Sequence, residues 1–300
     1  MSLTIESAKR NVRNYYDLNN PNEDDDFLFT ESLEYLIHET NQSNYMIDLG
    51  GWYYARKQFN LAEQYYLMAA ELNDSTAYEC LGYIYYYGRT AEPNYEKAFK
   101  YYQLASETGN IVASYKLADM YRNGYYVEKD YDKYSTIIKS LYPKVKDATN
   151  VFDPLPEIYS RLAKIYVEED KKEDAIELLL TAKDFLAQRL HYNSFFGDLT
   201  IMKYIVNDLY NLIRFIPNQA DLFDLYYVLQ YPSKVFISAY GIDHVIEAKK
   251  ENDVVYITMD NQNYENIDEF FSRALIHNKH ISSLYYEIDE MEIQSWNLQK

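Results

Sequence analysis

The feature that most constrains this chain is a self-similarity with a fixed spacing of 36 residues. Six residues recur at that distance: Ala77, Leu81, Tyr85, Gly88, Tyr95 and Lys97 are matched by Ala113, Leu117, Tyr121, Gly124, Tyr131 and Lys133. A period of about 20 to 50 residues is typical of stacked repeats. Such folds bury one face of each unit against its neighbours and leave a long surface for binding. The repetition therefore predicts a protein that holds a partner.

Helical periodicity and helix-breaking residues divide the repeat region into four pairs of helices. Gly88 and Gly124 each mark the end of a first helix, and Pro93 precedes a second helix. The predicted pairs are Asn44–Tyr54 with Leu61–Leu72, Thr76–Tyr87 with Tyr95–Glu107, Val112–Asn123 with Tyr131–Leu141, and Pro156–Val167 with Lys172–Leu186.

The residues of these pairs resemble a known repeat family. Units one, two and four share a leucine, a small residue, a tyrosine and two alanines, at Leu49, Gly50, Tyr53, Ala62 and Ala69; at Leu81, Gly82, Tyr85, Ala98 and Ala105; and at Leu162, Ala163, Tyr166, Ala175 and Ala182. This pattern resembles the tetratricopeptide repeat, and the longer loops with Gly88 or Gly124 resemble its Sel-one-like subfamily. The resemblance covers residues 44–186 and implies a mostly α fold, a right-handed α-solenoid of helix-turn-helix repeats.

Outside the repeats, the sequence predicts three further regions. Residues 1–43 form an N-terminal helical arm, with helices over Ile5–Leu18 and Asp26–Thr40, and residues 187–231 carry further helices, around Gln188–Phe215 and Gln219–Leu229. Residues 232–300 read as a small β-β-α-β module, an α/β addition to the solenoid. Its predicted elements are strands Lys234–Tyr240, Val254–Thr258 and Leu284–Ile288, a possible strand start at Val245 and Ile246, a turn over Lys250–Asp253, and a helix over Asn266–Ile276.

The composition narrows the classes of partner. The formal net charge of −18 disfavours phosphate backbones and anionic lipid surfaces, so we expect no nucleic acid and no membrane as partner. An acidic surface suits a basic protein, but it also simply keeps a protein soluble. No apolar run is long enough for a signal peptide or a membrane span, which predicts a cytoplasmic location. The single cysteine, Cys80, excludes an intrachain disulfide and a cysteine-based metal site.

Motifs for catalysis are missing from the sequence. It contains no glycine-rich phosphate loop, no nucleophile elbow and no paired-histidine zinc helix. Asp243 beside His244 is a candidate acid–base pair, and His277 lies near His280, but surface positions explain both better. We therefore predict no enzyme activity, no cofactor and no metal.

The resemblance also implies which residues meet a partner, because the first helix of each tetratricopeptide-like unit lines the concave face. The residues so placed are Tyr54, Glu79, Tyr83, Tyr86, Tyr87, Tyr115, Asp119, Arg122, Asn123 and Lys164. They describe an aromatic groove with few charges, unless terminal helices fold over it and make its tyrosines part of the core. The predicted function is non-catalytic binding of a protein or peptide. Two alternatives stay open: an immunity protein that neutralises a basic toxin, and an unrecognised enzymatic activity in the C-terminal module.

Overall fold

A computed structural model describes residues 3–18, 21–192, 196–251 and 254–296 of the chain. They form two compact units, and the division falls between Ile137 and Ile138. None of the helices in this described part is both long and apolar enough to cross a membrane.

The first unit is a succession of helices in which each helix from α1 to α7 packs against the next. Their bounds are α1 Ile5–Tyr16, α2 Glu23–Thr40, α3 Ser43–Ala55, α4 Phe59–Glu71, α5 Ser75–Tyr87, α6 Tyr95–Glu107 and α7 Ile111–Asn123, and the dividing point lies within α8, Tyr131–Val145. Contacts between α5 and α7 place the first helices of successive pairs side by side. Helices therefore occur where the N-terminal arm and the first three repeat pairs were predicted.

Close approach of the helices depends on small residues at the predicted positions. Gly82 on α5 and Gly50 on α3 are buried, and a Cβ atom built on Gly82 would lie 2.5 Å from Cδ1 of Tyr102 on α6. Gly50 has the same relation to Tyr66 on α4, also at 2.5 Å. The glycines thus let a tyrosine ring of the second helix lie directly on the backbone of the first.

Local signals explain where these helices begin and end. Gly88 and Gly124 follow α5 and α7 with φ angles of +59° and +74°, the left-handed conformation that glycine adopts without strain. Helix α2 begins at Glu23, three residues before the predicted start, because the Asn22 side chain accepts hydrogen bonds from the backbone N–H groups of Asp24 and Asp25. The acidic run therefore occupies the first turn, where it complements the helix dipole.

The second unit begins with long helices. Its helices are α9 Leu155–Glu168, α10 Lys172–Tyr192, α11 Phe196–Leu212 and the single turn α12 Leu225–Val228. Helices α9 and α10 pack together as the predicted fourth pair would. The helix predicted around Gln188–Phe215 is instead the end of α10 followed by α11, and residues 193–195 lie outside the described ranges.

Buried charges hold these helices together. The Arg189 side chain on α10 is 6% exposed and donates to Glu157 of α9 at 2.8 Å and to Asp198 of α11 at 2.9 Å. The predicted helix over Gln219–Leu229 is broken by short 3₁₀ turns, because Asp224 turns inward. Its Oδ1 lies 2.6 Å from Nζ of Lys183, inside the unit.

A five-stranded antiparallel sheet completes the second unit, in the order β4-β3-β2-β1-β7. The bounds are β1 Ser233–Ala239, β2 Ile242–Glu251, β3 Val254–Met259, β4 Gln262–Tyr264, helix α13 Ile267–Arg273, the small hairpin β5 Leu275–Ile276 and β6 Lys279–His280, and β7 Ile288–Trp296. Burial in β1 alternates strictly, with Val235, Ile237 and Ala239 on the covered face. A small α/β module is therefore confirmed.

Two details of the predicted module are wrong, and a third is tested only in part. Leu284–Ile288 is not a strand: Leu284 is fully buried at a turn, and the strand begins only at Ile288. Val245 and Ile246 lie within a ten-residue strand and do not start one. Lys250 and Glu251 end that strand, while residues 252 and 253, the rest of the predicted turn, are outside the described ranges.

The sheet is attached to the helices of its own unit by aromatic side chains. The Trp296 ring of β7 lies 4.9 Å from the ring of Phe215, centroid to centroid, and Tyr226 of α12 stacks on Phe271 of α13 at 5.2 Å. Tyr285 donates to Asp221 at 3.0 Å. The module and the helices before it therefore share buried surface.

Candidate functional site

Aromatic rings from two neighbouring pairs meet on the first-helix side of the first unit. Tyr83 and Tyr87, one turn apart on α5, have ring centroids 4.4 Å apart. Tyr54 at the end of α3 lies 6.1 Å from Tyr83, and Phe59, at the start of α4, lies 5.1 Å from Tyr54. Three of the predicted tyrosines are therefore brought together.

Arg89 lies among these four rings. Its guanidinium carbon is 5.9 Å from the ring centroid of Tyr54, 5.6 Å from that of Phe59, 5.8 Å from that of Tyr83 and 5.3 Å from that of Tyr87. These are cation–π distances. Arg89 is exposed. We name these five residues the arginine–ring cluster.

The phenol groups of Tyr54 and Tyr83 also act on the guanidinium group. Partial burial on its own would lower the pKa of Arg89, but electrostatic interaction with Tyr54 and hydrogen bonding to Tyr83 and Tyr54 outweigh that effect and raise the pKa. The side chain is thus held in place as a cation by rings and hydroxyl groups.

A second cation flanks the cluster from α7. Lys116 Nζ donates to the Tyr87 hydroxyl at 3.2 Å and lies 5.6 Å from the Tyr83 ring centroid. Its distance to the Tyr115 ring is also 5.6 Å. The predicted aromatic surface therefore carries cations from a loop and from the next helix, which the sequence prediction of few charges did not include.

An open depression lies beside the cluster. It has a volume of about 410 Å³ and is lined by residues 57–61, at the turn between α3 and α4, together with Arg89 and Thr90. Phe59 and Leu61 supply apolar walls, and Lys57 supplies a further positive charge. The guanidinium of Arg89 thus borders both the rings and the depression.

Two predicted groove residues are less exposed than the repeat pattern implies. Tyr115 is only 8% exposed. Glu79 is half-buried and accepts a hydrogen bond from Asn110 Nδ2 at 2.7 Å. Burial raises the pKa of the Glu79 carboxyl, and the hydrogen bond from Asn110 and the charge of Lys116 partly oppose that rise. The open row of side chains expected from the repeat pattern is therefore incomplete.

Tyr86 faces the seam between helices. Its ring lies 5.6 Å from Tyr95, 6.3 Å from Tyr102 and 5.9 Å from Tyr125. Tyr95 and Tyr125 stack on one another at 4.5 Å. The Tyr86 ring also meets the Tyr87 ring edge-on, with centroids 4.9 Å apart. Tyr86 nevertheless joins the packing with α6, whereas Tyr87 remains 41% exposed.

The remaining predicted residues lie on α7 and in the second unit. Arg122, exposed near the end of α7, has its guanidinium carbon 5.6 Å from the Tyr134 ring of α8. Asp119 and Asn123 are half-buried on α7. Lys164 belongs to the second unit, where its Nζ lies 3.3 Å from Oδ2 of Asp208.

The candidate acid–base pair of the C-terminal module is arranged differently from the sequence suggestion. Asp243 and His244 are adjacent in β2, so their side chains point to opposite faces of the sheet. His244 Nδ1 pairs with Asp260 instead. Among the described residues, no group of three or more histidine, cysteine, aspartate or glutamate side chains is suited to holding a metal ion.

The first unit stacks helical hairpins, and Gly88 and Gly124 end two of their first helices. This architecture is that of an α-helical repeat protein. The Sel1 repeat family model matches residues 45–74, 77–110 and 111–133. These matches confirm the resemblance that the loops containing Gly88 and Gly124 predicted. The fourth pair lies outside these matches, and its assignment as a repeat stays a prediction.

A solved structure with a TM-score above 0.5 supports this fold. A protective antigen of uropathogenic Escherichia coli with an SLR fold aligns at a TM-score of 0.54 and 18% identity, over 76% of this chain and 46% of its own. A Sel1 repeat protein from Oxalobacter formigenes aligns at a TM-score of 0.47 and 20% identity, over 68% of this chain and 78% of its own. No curated protein matches the chain.

Proposed function

We propose that the chain is a non-catalytic scaffold that binds a protein or peptide, and that the arginine–ring cluster is the docking surface. Sel1-type repeats are protein-interaction folds, because stacking buries one side of each hairpin and leaves the other side for a partner. The observation that carries the assignment to this surface is the grouping of Tyr54, Tyr83 and Tyr87 around an exposed arginine.

Tyrosine and arginine are the residue types that contribute most binding energy at protein interfaces. A tyrosine ring loses little conformational entropy on binding and offers both an apolar face and a polar tip. In this cluster the rings already fix one another and the guanidinium group, so a partner would meet an ordered surface. The cost of ordering side chains on binding is correspondingly small.

The test is a selection of short random peptides by the full chain. Selected peptides should lose affinity by about tenfold or more for the Tyr87→Ala variant, equivalent to ~1.4 kcal/mol. Tyr126→Ala is the matched control, because Tyr126 is 52% exposed in the same unit and its ring contacts Phe99, outside the cluster. If no peptide is selected, or if both variants bind as the unmodified chain does, the proposed docking surface is wrong.

A further inference from the structure

The arginine–ring cluster has a local charge opposite to that of the whole chain. The net charge of −18 permits a basic partner without requiring one. At the cluster, however, Arg89 and Lys57 both line the depression, and Lys116 of α7 lies 5.6 Å from the Tyr83 ring. The Glu79 carboxylate, which interacts with the charge of Lys116, also accepts a hydrogen bond from Asn110.

Arg89 differs from the other well-held arginines in its surroundings. Arg56 pairs with Asp26 at 2.7 Å, and Arg189 pairs with two buried carboxylates. In the part of the chain that the structure describes, Arg89 has aromatic rings and phenolic oxygens around it and no carboxylate within ion-pair distance. The chain has 47 acidic residues, yet none of those that the structure describes forms an ion pair with Arg89.

The hydrogen-bonding chemistry of the Arg89 guanidinium group indicates which kind of ligand it would bind. A guanidinium group has five N–H donors in a planar fork, and two phenolic oxygens use only some of them. A carboxylate accepts two parallel hydrogen bonds from such a fork, and these charge-assisted bonds are stronger than neutral ones. Since the rings hold the guanidinium group in place, the entropy lost on binding a carboxylate is reduced.

We infer that the arginine–ring cluster binds an acidic peptide segment of a partner, with a glutamate or aspartate side chain on Arg89 and a neighbouring apolar side chain in the depression. This rests on the proposed function and adds the chemical class of the partner. Phe59 and Leu61 line the depression, whose volume of about 410 Å³ is enough for one or two side chains. The apolar walls select against a purely charged segment.

The experiment begins with the peptides selected by the full chain. The peptides that depend on Tyr87 should be enriched in glutamate and aspartate relative to the starting library. Synthetic copies in which those residues become glutamine and asparagine should bind about tenfold more weakly, because a charge-assisted pair is lost. Long-range attraction to a chain of charge −18 favours basic peptides instead, so the two explanations predict opposite compositions.

Variants of the protein give the complementary measurement. Arg89→Gln should weaken the acidic peptide about tenfold and leave its neutral copy unchanged. Arg89→Lys keeps the charge but not the planar fork and should recover only part of the affinity. Lys100→Gln is the control for net charge, because Lys100 is exposed on α6 and pairs with Glu96. If Arg89→Gln does not fold by circular dichroism, Lys57→Gln at the depression takes its place.

Each outcome is decisive. Tyr87-dependent peptides that are neutral or basic, or an acidic peptide indifferent to Arg89→Gln and Lys57→Gln, would overturn the acidic-partner inference and leave the docking surface intact. Absence of any Tyr87-dependent peptide would instead remove the docking surface itself. Acidic peptides weakened by Arg89→Gln and not by Lys100→Gln would establish the inference.

Discussion

Replacement of Gly82 by alanine tests the helix seam that the repeat pattern predicts. The new Cβ would lie 2.5 Å and 2.6 Å from two carbons of the Tyr102 ring, about 1 Å closer than carbon atoms approach at their optimal separation. Tyr102 is completely buried, so its ring has little room to move. Overpacking of this kind costs about 1–3 kcal/mol.

Helix propensity acts in the opposite direction and must be subtracted. Alanine is favoured over glycine inside a helix by ~1 kcal/mol. Gly51 supplies the matched control, because a Cβ there would meet only the Tyr66 hydroxyl, at 3.9 Å. We expect Gly51→Ala to stabilise the fold by up to about 1 kcal/mol and Gly82→Ala to destabilise it by up to about 2 kcal/mol.

Urea denaturation followed by far-ultraviolet circular dichroism measures both variants. The difference between their free energies of unfolding reports the seam, because the propensity contribution is the same in each. A double variant, Gly82→Ala with Tyr102→Leu, should recover part of the loss, since neighbouring substitutions are not additive. Equal stabilisation by the two alanine substitutions would show that α5 and α6 do not touch at Gly82, and the repeat register would be wrong.

Four other measurements follow from the structure. Arg189→Met should cost about 3–5 kcal/mol in urea denaturation, because two buried carboxylates lose their cation; a cost near zero would contradict the burial. Burial pushes the pKa of Asp26 upward, but hydrogen bonds, one from Arg56, outweigh it and lower the pKa. Its contribution to stability is therefore present at neutral pH, and the advantage over Asp26→Asn should vanish as the pH falls below ~4. Burial raises the pKa of the Cys80 thiol to about 12, so a disulfide reagent should label it only after unfolding, and rapid native labelling would disprove this. Trypsin should leave the native chain uncut after Lys234, since β1 lies between two paired strands; early cleavage there would show a loosely attached module.

The helices of the repeats could be predicted from sequence because the same local signals occur in several units. Gly88 and Gly124 end helices in the left-handed conformation, and Leu81 and Gly82 are buried where the leucine–small pattern requires. Helix starts were less certain. The side-chain cap of Asn22, which moves the start of α2 to Glu23, is a signal that the acidic run concealed.

The sheet was harder to predict, and the reason is visible in β7. An edge strand shows its inner face as alternate apolar residues, but β7 pairs with β1 through register shifts at Lys234/Val235 and at Ser238/Ala239. The shifts place Ile288 and Met291 three residues apart, so the two-residue period is lost. A search for apolar alternation therefore finds Leu284–Ile288 and passes over the true strand.

The tyrosines of the candidate surface were predicted from the sequence, but Arg89 was not, and the reason is local. Tyr54, Tyr83 and Tyr87 follow from the repeat register, whereas Arg89 lies beyond the helix end and has no place in a helical pattern. The left-handed turn at Gly88 directs the chain backward, so that the backbone N–H groups of Gly88 and Arg89 both donate to the Ile84 carbonyl, the latter at 3.0 Å. These two hydrogen bonds to one carbonyl oxygen fix Arg89 beside the last turn of α5, where the tyrosine rings lie. The glycine that ends α5, as Gly124 ends α7, is thus also the residue that places the cation of the proposed docking surface.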